Sequence, residues 1–318
     1  MKIIILDAAT LGDDLISELP VIFSDFGDVE VNLFTQQDKV AATVVDSDIV
    51  IVNKLKLNES NLKTAKNLKL ICATATGYDN IDIEYCRRCG IAVCNVVGYS
   101  THSVAQLTVL MALTLMNRLS EYTSFVQSGE YSKSGIANRL TPVYHEICGK
   151  VWGIIGLGNI GRQVAKVAEA LGCRVIASKR TPDSEFECTD IDTLCKTADI
   201  ISVHTPLTNN TKNLINRERI ALMKNDAIFI NVARGAVADE TALTEAIENE
   251  TLGGLGIDVY STEPLPEGHP YNKILNKPNV CFTPHSAWGS YEARLRCISI
   301  IKDNITEFLN GGRLNRVD

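Results

Sequence analysis

Val151-Trp152-Gly153-Ile154-Ile155-Gly156-Leu157-Gly158-Asn159-Ile160-Gly161 is an apolar strand running into a glycine-spaced turn, followed by a helical stretch that ends at Leu171-Gly172. A GxGxxG alone is weak evidence. One that closes a strand and opens a helix inside a βαβ unit is a strong sign of a dinucleotide site. Gly156 permits the tight turn, Gly158 lets the backbone approach a pyrophosphate, and Gly161 allows close helix packing. Asn159 and Ile160 open the helix whose N-terminus stabilises the anion.

Outward from this turn the pattern repeats. Continuous apolar runs at 174–178, 200–203, 227–232, 255–258 and 280–283 read as strands of a parallel sheet covered on both faces. Before it, short β-branched runs at 2–7, 29–34, 49–52, 68–73 and 92–95 alternate with polar helical stretches, which again argues for parallel strands. A nearly all-apolar helix at about 103–119 is expected to lie between domains or subunits. Tyr291, Leu295, Ile298, Ile301, Ile305 and Phe308 recur at helical spacing until Gly311-Gly312 ends the last element. The fold class is therefore α/β, with two doubly wound parallel sheets.

Composition agrees. The chain has 318 residues, 45% of them hydrophobic, and two domains are the prior at that length. A net charge of −7 without any run of Lys or Arg argues against nucleic acid or an anionic membrane as partner, leaving a small molecule. The most apolar later stretch, 107–116, is too short to span a bilayer, so the expectation is a soluble, cytosolic protein. Ten cysteines include a CxxC at Cys86 and Cys89, but no second pair, and the five histidines are scattered. No metal site is expected, and the thiols read as reduced and mostly packed.

At the end of the strand after the glycine turn, an acid normally binds the adenosine ribose. Here stand Ser178-Lys179-Arg180-Thr181, two cations and two hydroxyls that suit a 2′-phosphate; the alternative is ordinary solvated charge. Ligands of open α/β sheets bind beyond the carboxyl ends of strands, where this chain has His204-Thr205-Pro206, Ala233-Arg234-Gly235, Asp258 and His285. Arg234 between two small residues suits bidentate carboxylate binding. His285 can act as an acid near neutral pH, and Glu263 in the loop after Asp258 can orient and charge it. Each alone would more often be a structural residue; their joint appearance downstream of the fingerprint points to 2-oxo acid reduction.

Over nearly its whole length the chain resembles the D-isomer-specific 2-hydroxyacid dehydrogenase family. The segments that carry the resemblance are Gly156 to Gly161, Asn231-Val232-Ala233-Arg234-Gly235 with Asp239-Glu240, 258–264, and Thr283-Pro284-His285. It implies that Arg234 binds the substrate carboxylate and carbonyl, that His285 donates the proton, and that Glu263 keeps His285 protonated. It also implies a Rossmann-type nucleotide domain at 99–284, a discontinuous flavodoxin-like substrate domain at 1–98 and 285–318, and a homodimer.

By the same resemblance, Val104, His204, Thr205, Pro206, Thr211, Val232, Ala233, Asp258 and Ala287 join the cofactor wall. Leu55, Thr74, Ala75, Thr76, Gly77 and Trp288 join the substrate pocket, with backbone amides of the 74–77 segment holding the carboxylate. Ser286-Ala287-Trp288-Gly289-Ser290 resembles the glycerate dehydrogenase, or hydroxypyruvate reductase, branch most, so hydroxypyruvate and glyoxylate are the expected substrates. A D-lactate-type or branched 2-oxo acid reductase is the alternative, with a nucleotide-sensing corepressor of the same fold further off. NADP(H) is the favoured cofactor and NAD(H) the other possibility.

Overall fold

The computed structural model describes residues 1–181 and 183–318 and divides them into two compact units, Met1–Ser100 with Gly289–Asp318, and Thr101–Trp288. In the first unit, β1 (Lys2–Ile5), β2 (Asp28–Val31), β3 (Ile49–Val52), β4 (Leu70–Ala73) and β5 (Ala92–Cys94) form one parallel sheet in the order β2-β1-β3-β4-β5, the flavodoxin-like order. The Ile and Val runs make strands because β-branched side chains fit a pleated surface buried on both sides, and every residue of β3 and β4 is buried. Val50, Val52, Ile71, Ala73 and Val93 pack on one face with Leu62, Tyr85 and Cys86. The terminal helix Tyr291–Leu309 belongs to the same unit. Its Cys297 Sγ lies 3.5 Å from the Thr74 carbonyl and its Asn304 Nδ2 donates to the Asn95 carbonyl at 2.9 Å. Asp318 accepts the Val93 amide at 2.7 Å, tying the end of the chain to β5.

In the second unit β6 (Val151–Ile155), β7 (Arg174–Ser178), β8 (Glu187–Cys188), β9 (Ile200–Val203), β10 (Ile228–Asn231), β11 (Gly254–Ile257) and β12 (Val280–Phe282) are all parallel. Their order, β12-β11-β10-β9-β6-β7-β8, is the Rossmann order with a seventh strand at the edge. Alternate residues feed two cores. Ile201, Phe229, Leu255 and Ile257 meet Leu194 and Leu243 on one face. Ile154, Val175, Ile200 and Ile230 meet Met111, Leu115, Val164 and Ala168 on the other. Each such fully buried aliphatic side chain contributes about 1.5–3 kcal/mol, and the double coverage explains why these strands read as unbroken apolar runs.

Three features depart from the sequence reading. β8 has only two residues and carries no apolar run to betray it. The long apolar helix is Thr101–Met116; the chain then turns through Arg118 at φ +53° and starts a second helix, Leu119–Gln127. The boundaries expected at 98/99 and 284/285 stand two and four residues before those of the compact units, so 285–288 sit with the second unit. The cause is hydrogen bonding: the Asp258 carboxylate accepts the amides of Ser286 (2.8 Å) and Ala287 (3.1 Å), and Ser103 Oγ donates to the Ala287 carbonyl at 2.6 Å.

The glycine turn is fitted to its surroundings. Gly156 has φ +96°, and a Cβ on Gly161 would lie 2.3 Å from the Gly156 carbonyl oxygen and 3.1 Å from an Ile154 methyl. A Cβ on Gly158 would meet nothing within 4 Å. Gly161→Ala is therefore expected to lose about 1–3 kcal/mol of stability, as overpacking does, whereas Gly158→Ala should cost less than about 1 kcal/mol, the size of a cap effect. Urea unfolding of both variants checks this; equal losses would refute the assignment of Gly161 to packing and Gly158 to open space.

Candidate active site

At the carboxyl edge of the second sheet, β6 gives way to Gly156, whose amide donates to the Ser178 carbonyl at 3.0 Å. Gly158 then caps the helix Asn159–Ala170 without a side chain of its own, so the first-turn amides face open space beside it. That is the shape a pyrophosphate needs. Beside the turn, a Cβ on Gly156 would come within 2.9 Å of the His204 and Thr205 backbone. His204 itself ends a buried relay. Trp152 Nε1 donates to Ser202 Oγ at 2.9 Å, and Ser202 Oγ lies 2.9 Å from His204 Nε2. The serine oxygen accepts the indole N–H and still has a lone pair and a proton for Nε2, so either tautomer of the imidazole satisfies the contact. Burial holds the His204 pKa near 3, so the ring is neutral at physiological pH. Nδ1 is buried with no hydrogen-bond partner, an orphan worth about 1–3 kcal/mol that a bound ligand could satisfy. The open cradle and this orphan both fit a dinucleotide.

Next to the segment 178–181 a carboxylate already engages one of its cations. An acid is present: Asp183, in the loop after β7, with its side chain nearly buried. It accepts the Glu185 amide at 3.0 Å and the Lys179 ammonium at 3.0 Å, and pairs with Arg162, which hold its carboxyl down at about 2. Lys179 is thus already engaged, while Arg180 and Thr181 are exposed. The remaining cofactor-wall candidates divide. Val104 is a core residue, Val232 is buried, and Thr211 Oγ1 donates to the Pro206 carbonyl at 2.6 Å, holding its own loop. The Asp258 carboxylate faces inward and is consumed by Thr283 Oγ1 (2.5 Å) and the amides of Ser286 and Ala287; burial raises its pKa against those bonds. It shapes the site from within.

Arg234 follows β10 in a turn built by Asn231, whose side chain accepts the Ala233 amide (3.0 Å) and donates to the Arg234 carbonyl (2.9 Å). Gly235 comes next because nothing larger fits: a Cβ there would fall 2.0 Å from the Tyr260 carbonyl carbon. The Arg234 turn and the loop carrying Glu263 are therefore in backbone contact. Glu263 reaches His285 Nδ1 with both oxygens, at 2.7 and 2.9 Å, and accepts the Tyr260 amide at 3.1 Å. His285 stands at φ +52° with its amide on the Asp258 carbonyl at 2.8 Å. Arg234, Glu263 and His285 all belong to the second unit, although 29 and 22 residues separate neighbours in sequence (263 − 234 and 285 − 263).

In the first unit the substrate candidates follow β3 and β4. Leu55 packs against the core, the Thr74 amide completes the ladder to Val52, and Thr76 Oγ1 donates to the Val96 carbonyl at 2.7 Å. Ala75 and Gly77 stand in the same turn, and Thr74 Oγ1 is buried without a partner. Trp288, in the second unit, is half-buried against its core. Cys86 of the CxxC pair is buried in the first unit's core, where desolvation pushes its thiol up to about 12, the opposite of a reactive cysteine. Among the described residues, no cluster of three or more His, Cys, Asp or Glu side chains is arranged to hold a metal ion.

A glycine cradle for a dinucleotide, with a carboxylate–histidine pair and an arginine after other strands of the same sheet, is a set that an oxidoreductase of 2-hydroxy acids requires. Comparison with known proteins agrees. Residues 109–287 match the model of the D-isomer specific 2-hydroxyacid dehydrogenase, NAD binding domain. The chain is 35% identical to the glycerate dehydrogenase of Methylorubrum extorquens over 284 residues, 88% of each protein, and 38% identical to the glyoxylate reductase of Thermococcus litoralis, covering 84% of this chain and 81% of that one. The structure of D-lactate dehydrogenase from Aquifex aeolicus with NAD and lactic acid superposes with a TM-score of 0.85 at 28% identity, covering 98% of this chain and 96% of that one. The chain belongs to the D-isomer specific 2-hydroxyacid dehydrogenase family, and it is an NAD(P)-dependent oxidoreductase acting on the CH–OH group of 2-hydroxy acids.

Proposed function

We propose that the chain reduces hydroxypyruvate and glyoxylate to D-glycerate and glycolate, with NADPH preferred to NADH. The bound dinucleotide supplies a hydride to the carbonyl carbon. Arg234 holds the substrate carboxylate with its planar fork and polarises the carbonyl oxygen. His285 gives that oxygen a proton from Nε2, since Nδ1 is engaged by Glu263, and is left as neutral imidazole. The negative charge of Glu263 favours the imidazolium from which the proton comes. The observation that carries the reading is the 2.7 Å contact between His285 Nδ1 and Glu263, in the same unit as the glycine cradle. The choice of substrate rests on the names of the relatives and on the 286–290 segment. A panel of hydroxypyruvate, glyoxylate, pyruvate and 2-oxoisocaproate tests it, and faster turnover of pyruvate would favour the lactate-type alternative.

His285→Ala is expected to lower kcat by about 10²-fold or more with dinucleotide affinity unchanged. Glu263→Gln should make reduction fail at a lower pH than in the parent, because the imidazolium loses its partner. Rate measurements across pH decide both, and a normal rate in the first variant or an unmoved profile in the second refutes the corresponding role.

Since Asp183 engages Lys179, the preference for NADPH falls mainly on Arg180 with the hydroxyls of Ser178 and Thr181. One charge-assisted bond to a 2′-phosphate is worth about 1.5–3 kcal/mol, which is roughly tenfold or more in affinity. Replacing Lys179 and Arg180 together by alanine should weaken NADPH much more than NADH in fluorescence titrations. Equal weakening would remove both cations from the 2′-phosphate.

The chain is further proposed to act as a homodimer in the cytosol. Ten free cysteines suit a reducing compartment, and no described helix is long and apolar enough to cross a membrane. Supporting the dimer, the second unit leaves Leu119, Val126, Ile136, Leu140 and Val143 exposed, each by half or more. Sedimentation at micromolar concentration should give twice the chain mass of 34.8 kDa, and Val126→Glu with Ile136→Glu should halve it. A monomeric parent protein would refute the pairing.

A further inference from the structure

Glu240 opens the helix Glu240–Glu248, directly after Asp239, whose side chain caps that helix through the Ala242 amide. It is 9% exposed, too buried to serve as a solvated first-turn acid, and its oxygens are taken by a neighbouring loop. Oε1 accepts the Ser261 amide at 2.8 Å, and Oε2 accepts the Ser261 hydroxyl. His269, itself 7% exposed, stands with Nε2 at 3.1 Å from Oε2. The histidine's role is fixed by its other nitrogen. The Tyr271 amide donates to Nδ1 at 3.2 Å, so the neutral ring carries its proton on Nε2 and donates it to Glu240. One buried carboxylate thus receives three donors, two of them from Ser261.

Ser261 lies in the loop that leaves β11 through Asp258 and delivers Glu263 to His285. The same stretch of backbone, Tyr260 and Ser261, presses on Gly235 beside Arg234. Glu240 therefore grips a point where the arginine turn and the carboxylate loop touch. We infer that Glu240, with His269 as its donor, is a positioning residue that sets Glu263 against His285, and that its loss weakens proton delivery without touching the dinucleotide. This inference rests on the proton-donor role proposed above for His285. The ionisable groups around the histidine are Glu263, in contact, and Asp258, whose buried carboxylate the charge of the histidine favours; Tyr260 lies beyond, with its hydroxyl on the Thr283 carbonyl. Around Glu240 stand His269, Tyr260, Tyr271 and Asp239.

Glu240→Gln keeps the volume but replaces one accepting oxygen with a donor, so one of the three bonds must fail whichever way the amide turns. The rate of 2-oxo acid reduction across pH, the KM for the 2-oxo acid and the NADPH dissociation constant are measured for Glu240→Gln, Ser261→Ala and Glu263→Gln. The expected result for Glu240→Gln is a kcat about tenfold lower, an alkaline limb moved to lower pH in the same direction as for Glu263→Gln, and an unchanged NADPH dissociation constant. Ser261→Ala, which spares the buried carboxylate, should move the limb the same way by less and carries the test if Glu240→Gln does not fold. His269→Leu should reproduce the shift, while His269→Gln, which restores an N–H donor, should keep the limb in place. If Glu263→Gln moves the limb and the Glu240 and Ser261 variants lose only thermal stability, the positioning role is overturned. If Glu263→Gln itself leaves the limb unmoved, the proposed chemistry of His285 falls and this inference falls with it.

Discussion

A carboxylate buried at the end of β11 has to be surrounded by donors, and Asp258 finds all three of its own between residues 283 and 287. A buried unpaired charge would cost several kcal/mol, so the chain leaving β12 has little freedom. It must turn back with the Ser286 and Ala287 amides on that carboxylate and the His285 amide on the Asp258 carbonyl. The turn forces His285 into the left-handed region, which a residue without glycine's freedom adopts only when its surroundings impose it. The imidazole then meets Glu263, which left the same aspartate five residues earlier. One buried acid thus sets both ends of the Glu263–His285 pair.

The cradle for the dinucleotide obeys the same economy with uncharged groups. Packing fills the space behind Gly161 and leaves the space beside Gly158 open, so identical residues do opposite things within one turn. The Trp152–Ser202–His204 relay extends the same principle to a buried polar chain: a donor-only indole fixes one bond of the serine hydroxyl that meets the imidazole at its other end. Preorganisation of this kind costs stability in the free protein, as the buried Nδ1 without a partner illustrates.

Sequence patterning reached most of this architecture because buried parallel strands advertise themselves. Runs such as Ile49-Val50-Ile51-Val52 and Ile200-Ile201-Ser202-Val203 cannot be exposed, and the glycine spacing after β6 is locally complete. The candidate residues read from their place after strands do stand there in the fold: Arg234 after β10 and His285 after β12. Where the determinant is the direction a side chain takes in the fold, the pattern was silent. Asp183 stands only four residues past Lys179, yet its engagement of that lysine is a property of the folded loop. Asp258 stood in the right place for a ligand contact, yet its oxygens turn inward, because burial and direction are properties of the folded neighbourhood.

Glu240 marks the boundary between these two kinds of information. As Asp239-Glu240 at the start of a helix it reads as a cap followed by a first-turn acid, both explained by unpaired amides and the helix dipole. Asp239 keeps that role. Glu240 lies at the interface between its helix and the loop of Ser261, and there its charge answers to three donors from two other segments. A first-turn acid in solvent can be replaced at small cost, whereas one shared by a catalytic loop and a buried histidine cannot. The difference arises from Gly235, whose missing side chain lets the two loops close to backbone contact and brings Ser261 within reach of the carboxylate. A side chain at 235 would hold the loops apart, so the local permissiveness of one glycine decides whether its neighbour five residues on is a surface acid or a buried one shared with the loop of Ser261.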